Sequence, residues 1–330
     1  MGRRAISPTG EDGGERMSDS EPAVAVFAPV TVLTVTLEST PDREDEVHVH
    51  PGGQGVWQAR MARLLGVRPV LCTPLGGETG AVIDALLQSE EIEHPRLGMS
   101  ASNPAWIHDR RDGEREPFWE GPAFQLGRHE LDELFTATLA RGLACGVCVV
   151  AGTHEGLGAL DPDTYRRLVG DLRAGGVRVV ADLTRDELTA ALEGGPHVVK
   201  VSEDDMRRDG RLSGSDPREL ERLVEALLEQ GAEHVVVSRA ESGAIASEGT
   251  RLVEVDAPRL DVADSRGAGD SMTAGLAVGL ARELDWEETL RLAAAAGAVN
   301  VTRHGSGSGR ADAVHELADR VSVVEAGSSR

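Results

Sequence analysis

Hydrophobic and polar positions along this chain follow two rhythms, one of period two and one near 3.6. From residue 30 the run V-T-V-L-T-V-T-L alternates and is rich in β-branched residues, which predicts a strand. A glycine-rich stretch at 50–55 then opens a helix over 55–65, with Val56, Ala59, Ala62 and Leu65 on one face. A short strand at 69–73 leads through Leu75-Gly76-Gly77 into a second helix beginning near Thr79. Further on, the two periods take turns: helix 129–141, strand 146–151, helix 161–174, strand 177–182, helix 186–193, strand 197–201, helix 216–230 and strand 234–238. Such βα alternation argues for a parallel sheet with helices on both faces. Strands near 244–246 and 252–255 precede two alanine-rich helices, 269–283 and 286–300. Residues 104–124 break the pattern: Trp106, Phe118, Trp119 and Phe124 are scattered among charges and turn residues, which predicts a β-flap projecting from the main sheet.

Residues 1–22 are polar and aperiodic and read as a disordered tail. With no internal linker and no repeat of fixed period, 23–330 reads as one domain. Only 3% of the chain is aromatic, so its core must be built from Val, Leu and Ala, as where helices pack on a parallel sheet. The formal net charge of −22 speaks against a nucleic-acid partner, which needs a basic footprint, and against an anionic membrane surface. Nearly all the positive charge is arginine; the sequence holds a single lysine, Lys200. Three cysteines are too few for a disulfide framework. Cys145 and Cys148 have C-x-x-C spacing but lie in the apolar run 143–151, where alternate positions of a buried strand would carry them. Without an 18-residue apolar run or a leader pattern, the expected location is the cytoplasm.

Chemistry concentrates in Asp264-Ser-Arg-Gly-Ala-Gly-Asp270, directly followed by a helical pattern. Two glycines around an alanine let successive backbone N–H groups turn toward one point, and the helix start adds its positive dipole end. That is an anion cradle, and Asp270 follows where it can touch whatever the cradle holds. Phosphoryl transfer to an alcohol needs this pairing of donors for the moving charge and a base for the hydroxyl proton. The plainer alternative is a glycine turn with an acid in the first turn of a helix. Two acids bracketing the turn, and a second glycine segment at 52–55, shift the balance toward function.

This segment, with Gly275, resembles the D-T-x-G-A-G-D-x-x-x-x-G signature of the ribokinase-like (PfkB) carbohydrate kinases, and other segments resemble the 1-phosphofructokinase and tagatose-6-phosphate kinase branch. They are T-V-T-L near residue 34, Gly52-Gly53-Gln54-Gly55, Leu75-Gly76-Gly77-Glu78-Thr79-Gly80, Asp182-Leu-Thr, Val199-Lys200-Val201-Ser202, Val237-Ser238-Arg239-Ala240-Glu241-Ser242-Gly243 and His304-Gly305-Ser306-Gly307. They occur in family order over about residues 30–322. The resemblance implies an α/β, ribokinase-like three-layer sandwich with a mainly parallel central sheet and a small β-sheet lid, drawn from about 38–50 and 100–125. It implies ATP and Mg²⁺ as cofactors, a sugar-like acceptor, and a homodimer contact through the lid. Asp270 matches the catalytic base, and Gly267, Ala268 and Gly269 match the anion hole. Lys200, Ser202, Asp205, Ser238, Arg239, Gly243 and Asp264 match the nucleotide side, with Ala240 where a glycine is usual and Asp205 reaching the metal through water.

The departures fall mostly on the acceptor side. The branch's G-G-K-G-x-N keeps Gly52 and Gly53 but reads Gln54 and Trp57 at its lysine and asparagine. Its first-strand motif T-L-N-P-A-x-D reads Thr36-Leu-Glu38-Ser-Thr-Pro-Asp42, retaining Asp42 as an acceptor ligand. Asn103 or its neighbours stand where an arginine for the substrate phosphate is expected. Losing two cations and gaining Glu38 leaves a phosphate dianion poorly neutralised, so an unphosphorylated acceptor is favoured. Trp57 either stacks on a substrate face or packs beneath the lid. On the nucleotide side N-x-x-E reads Ser202-Glu-Asp-Asp205, one methylene shorter at the acid. Two other classes stay open: a non-catalytic nucleotide or metabolite sensor, and, more weakly, an NAD-binding dehydrogenase that lacks its G-x-G-x-x-G after the first strand.

Overall fold

The computed structural model describes residues 21–39, 44–113, 115–122, 124–153, 160–214, 217–249, 251–303 and 305–326. Most of the expected 1–22 tail, and the expected acceptor ligand Asp42, lie outside the described residues.

The central strands are continuous apolar runs because helices cover both their faces. Strand Ala23–Phe27 is buried at all five positions. Val24 and Val26 pack with Val56, Leu276 and Leu290 on one side of the sheet. Ala25 and Phe27 pack with Leu134 and Leu168 on the other. That gives three layers. Among the described residues the sheet has nine strands, in the order Ser322–Glu325, Arg251–Asp256, Ala244–Glu248, His234–Ser238, Val198–Ser202, Arg178–Asp182, Val147–Ala151, Ala23–Phe27 and Arg68–Cys72. The last six are mutually parallel and the first three join antiparallel.

Two expectations are corrected here. The strand expected from residue 30 forms as Val32–Ser39 in a separate four-stranded lid, but the main sheet begins earlier, at Ala23–Phe27, where no strand was expected. In that lid Val32–Ser39 lies between Asp45–Gly52 and Ala105–Asp109, with Glu116–Glu120 outermost. Cys145 is not on a strand either. It ends helix Arg128–Cys145, Gly146 caps that helix at φ 74°, and only Cys148 enters strand Val147–Ala151.

Helices Ala268–Ala281 and Trp286–Asn300 pack against each other across a surface of small residues. Gly275 closes the sequence signature for this reason: a Cβ there would lie 2.5 Å from Ala293 Cα and 3.0 Å from Ala293 N. Those are backbone atoms and cannot swing aside. We therefore expect Gly275→Ala to lower stability by about 1–3 kcal/mol, despite alanine's better helix propensity. Chemical denaturation measures this; an unchanged or raised midpoint would show that the two helices approach less closely.

Candidate active site

In an open parallel sheet, ligands sit beyond the carboxyl ends of the strands where the strand order reverses. Here the chain runs from Ala23–Phe27 outward to Arg68–Cys72, then returns to the other side of Ala23–Phe27 through Val147–Ala151. At that place lies a cavity of about 880 Å³, walled by Val30 and Val32 after the first strand, Gly152 and Thr153 after Val147–Ala151, and residues from Asp182 to Glu187 after Arg178–Asp182. Gly53, Gln54, Trp57 and Asp270 join the wall from two helix N-termini, and Trp106 joins from the lid.

Asp270 stands in the first turn of helix Ala268–Ala281. The amide nitrogen of the buried Gln58 donates to Asp182 Oδ2 at 3.2 Å and to Asp270 Oδ1 at 3.4 Å, so one side chain holds two carboxylates together. Thr273 also donates to Asp182 Oδ2, at 2.6 Å, and Lys200 Nζ lies 3.5 Å from Asp182 Oδ1. Burial, and then the neighbouring Asp182 charge, raise the Asp270 carboxyl well above the usual carboxylate range; Lys200 and Gln58 offset only part of this. A base tuned upward in this way is suited to taking a proton near neutral pH.

The turn before Asp270 takes its shape from its glycines. Gly267 adopts φ 75°, and a Cβ there would come within 2.6 Å of Ser306. The first bond back along the helix runs from the Ser271 N–H to Gly267 O at 2.8 Å, which leaves the N–H groups of Gly269 and Asp270 ahead of the intrahelical ladder. At Gly269 a Cβ would meet Lys200 Nζ at 2.6 Å, so glycine is what lets the sole lysine reach the helix start. Asn300 staples the turn, donating to Arg266 O at 2.7 Å and accepting from the Gly307 N–H at 2.8 Å.

The sequence-expected residues divide. Gly53, Gln54, Trp57, Asp205 and Asp270 meet at the cavity. Gln54 spans two strand ends, donating to Asp182 O at 3.2 Å and accepting from the Gly152 N–H at 3.0 Å. Gly52 is buried in its strand against Thr34, where a Cβ would lie 2.6 Å from the hydroxyl oxygen. Asn103 does not reach the cavity wall. It is buried, its amide nitrogen donates to Thr31 O and Pro74 O, and its amide oxygen accepts from the Gly76 N–H at 2.9 Å; it ties loops together instead. The first-strand motif is also displaced: the segment leaving the first core strand is 28–32, not 36–42, so Val30 and Val32 front the cavity where an acid was expected.

On the nucleotide side Ser202 caps helix Glu203–Arg208 and pairs with Asp205, whose other oxygen lies 3.0 Å from Arg208. Ser238 donates to Val201 O at 3.3 Å, at the carboxyl end of the neighbouring strand. The Arg239 Nε is buried without a partner, and Gly243 turns the loop at φ 76° where a Cβ would strike Val255 O. Ala240 takes φ 47°, a conformation that favours glycine. Burial would push Asp264 up, but hydrogen bonds from Arg266 hold it below its usual value and close the loop.

The lid does carry arginines, though from other positions than expected and outside the cavity wall. Arg110 lies 3.7 Å from Glu38, and Arg115 donates to His108 Nδ1 at 2.7 Å, while its buried Nε has no partner among the described residues.

The model of the pfkB family of carbohydrate kinases matches residues 27–313. The chain is 29% identical over 281 residues to 1-phosphofructokinase of Bacillus subtilis, covering 83% of this chain and 88% of the relative. It is 24% identical over 309 residues to tagatose-6-phosphate kinase of Staphylococcus epidermidis, covering 92% and 97%. The crystal structure of phosphofructokinase-2 from Escherichia coli in complex with potassium superposes with a TM-score of 0.79 at 21% identity, over 90% of this chain and 98% of that one; likeness at this identity speaks for the fold. The chain belongs to the pfkB family of carbohydrate kinases.

A buried acid whose pKa is raised on folding weakens the fold as pH rises from its unfolded value through its folded one. Asp270→Asn removes that penalty. We expect the variant's thermal midpoint to exceed the parent's by roughly a few degrees at pH 8, with the gain vanishing below about pH 4, where the acid is protonated in both states. Scanning calorimetry across pH reads this; a gain independent of pH would mean that Asp270 carries no electrostatic strain.

Proposed function

We propose that the protein is an ATP-dependent phosphotransferase that moves the γ-phosphoryl group to a hydroxyl of a sugar or sugar-like small molecule, with Asp270 as the base. The observation that carries this is a carboxylate with a raised pKa, at a helix N-terminus, in the wall of a cavity large enough for a small molecule. Asp270 would orient the acceptor hydroxyl and receive its proton as the new P–O bond forms and the bond from the γ-phosphorus to the bridging oxygen breaks, with ADP as the leaving group. The backbone N–H groups at the helix start, those of Gly269 and Asp270 ahead of the ladder, and the helix dipole would face the charge of the moving group, and Lys200 adds a buried cation beside Gly269. The lid excludes water from the reacting atoms.

The residues present fit a nucleotide. Lys200 brings its ammonium against Gly269 at the helix start, and among the described residues the buried Arg239 Nε has no partner. Mg²⁺ fits less directly, because among the described residues no group of three His, Cys, Asp or Glu is placed to hold a metal. Asp205 lines the cavity with its oxygens engaged by Ser202 and Arg208, which suits contact through water while phosphates supply most of the ligands. The same engagement of Asp205 is what favours the second reading, a nucleotide sensor without turnover. A homodimer through the lid belongs to this proposal too. Val49, Val35, Ile107 and Trp119 form one cross-strand row, and Val49 and Trp119 in that row are exposed.

ADP release coupled to phosphorylation of an acceptor tests the proposal. Asp270→Asn should lower kcat by roughly 10²-fold to 10⁴-fold with ATP affinity retained. In the parent enzyme the rate should fall as pH drops through the raised Asp270 value, above the range of an ordinary aspartate. An unimpaired variant would contradict the assignment of the base; ATP binding without turnover on any acceptor would favour the sensor.

A further inference from the structure

The charges around the cavity do not suit a phosphorylated acceptor. Among the described residues six acids line it: Asp205, assigned above to the nucleotide, and Asp182, Asp186, Glu187, Asp209 and Asp270. The two arginines among its described lining residues already have carboxylate partners, Arg185 with Asp209 at 3.5 Å and Arg208 with Asp205 at 3.0 Å. The wall also has an apolar part in which Val30, Val32, Trp106 and Phe124 pack together, and Trp57 lines the same cavity. A phosphate dianion needs several charge-assisted donors, and this cavity offers it carboxylates.

Glu187 is the feature that the catalytic assignment leaves unused. It stands in the first turn of helix Arg185–Glu193, against the end of strand Val147–Ala151. The Thr153 hydroxyl donates to Oε1, as does Tyr165 from below at 3.2 Å. Among the described residues Oε2 receives only the Thr153 N–H at 3.3 Å, which also reaches Oε1 at 3.4 Å. A carboxylate has about four acceptor sites, so Oε2 keeps capacity. Gly152 keeps that oxygen uncovered, since a Cβ at 152 would lie 2.7 Å from it. Gly152 is itself fixed by Gln54, which also holds Asp182, the partner of Asp270 through Gln58. Glu187 is thus tied to the reacting end of the cavity by a continuous hydrogen-bonded chain of side chains and strand ends. Burial raises its pKa, and the Thr153 and Tyr165 donors oppose this without cancelling it, as for a carboxyl awaiting a donor.

We propose that Glu187 is the acceptor-recognising residue of this enzyme, and that the acceptor is unphosphorylated: a hydroxylated molecule, neutral or amine-bearing, that sets a hydroxyl or ammonium donor on Glu187 Oε2 and an apolar or planar face against Trp57, Trp106 and Phe124. This rests on the kinase reading above and adds its substrate class.

Matched acceptors provide the test: glucose, glucosamine and glucose 6-phosphate; fructose, fructose 1-phosphate and fructose 6-phosphate; adenosine and AMP. Each is assayed for ATP-dependent phosphorylation with the parent enzyme and with Glu187→Gln, which keeps an acceptor for Thr153 and Tyr165. We expect the neutral or amino member of a set to exceed its phosphorylated counterpart in kcat/KM by about tenfold or more. Glu187→Gln should raise KM for that acceptor by roughly tenfold, most for an amine, while the KM for ATP and kcat change little. Preference for a phosphorylated member, or unchanged acceptor KM in the variant, would overturn the inference and leave the kinase reading standing. If no member is phosphorylated while ATP still binds, the kinase reading fails and this inference falls with it.

Discussion

Two carboxylates that share one amide are the constraint on which the site depends. Asp182 ends a central strand, Asp270 begins a helix, and Gln58 from a third element donates to both. Like charges so close raise each other's cost, and the surroundings answer with Thr273, Lys200 and the helix dipole. Each answer requires something of the sequence: Gly269 without a side chain so that Lys200 fits, Gly275 so that helix Ala268–Ala281 seats on its neighbour, and Asn300 to hold the turn.

The same constraint explains how a protein of net charge −22 can handle a polyanionic nucleotide. Charges separated by more than about 8–10 Å are largely screened at physiological salt, so the acidic surface matters less than the local donors. Those donors are backbone N–H groups, buried Lys200 and the unpartnered Arg239 Nε. The cavity wall itself is rich in carboxylates.

What could be read from the sequence was what is contiguous. The βα alternation is a local pattern, and so is the glycine turn from Gly267 into the helix that carries Asp270; the structure has both elements. The first core strand was missed because Ala23–Phe27 is buried on both faces and shows no alternation, whereas the half-exposed lid strand Val32–Ser39 shows it clearly. Asn103 was misjudged because a polar residue serving backbone groups inside a loop looks the same in sequence as one serving a ligand. Gln58, Thr273 and Glu187 were not legible as site residues. Gln58 meets Asp182 across 124 positions and Asp270 across 212, and Thr273 meets Asp182 across 91. The available signal was Gln58 itself, a polar side chain among Val56, Ala59 and Ala62 on the buried side of its helix.

The central claim is that Asp182 and burial together destabilise the charge on Asp270, making it a base. Titration of the carboxyl groups by isotope-edited infrared difference spectroscopy, on the parent and on Asp270→Asn and Asp182→Asn, tests it most directly. The account predicts a carboxyl that ionises well above the ordinary aspartate range, is absent in Asp270→Asn, and shifts downward in Asp182→Asn. An Asp270 carboxyl that ionises in the ordinary range, or one indifferent to the loss of Asp182, would contradict it.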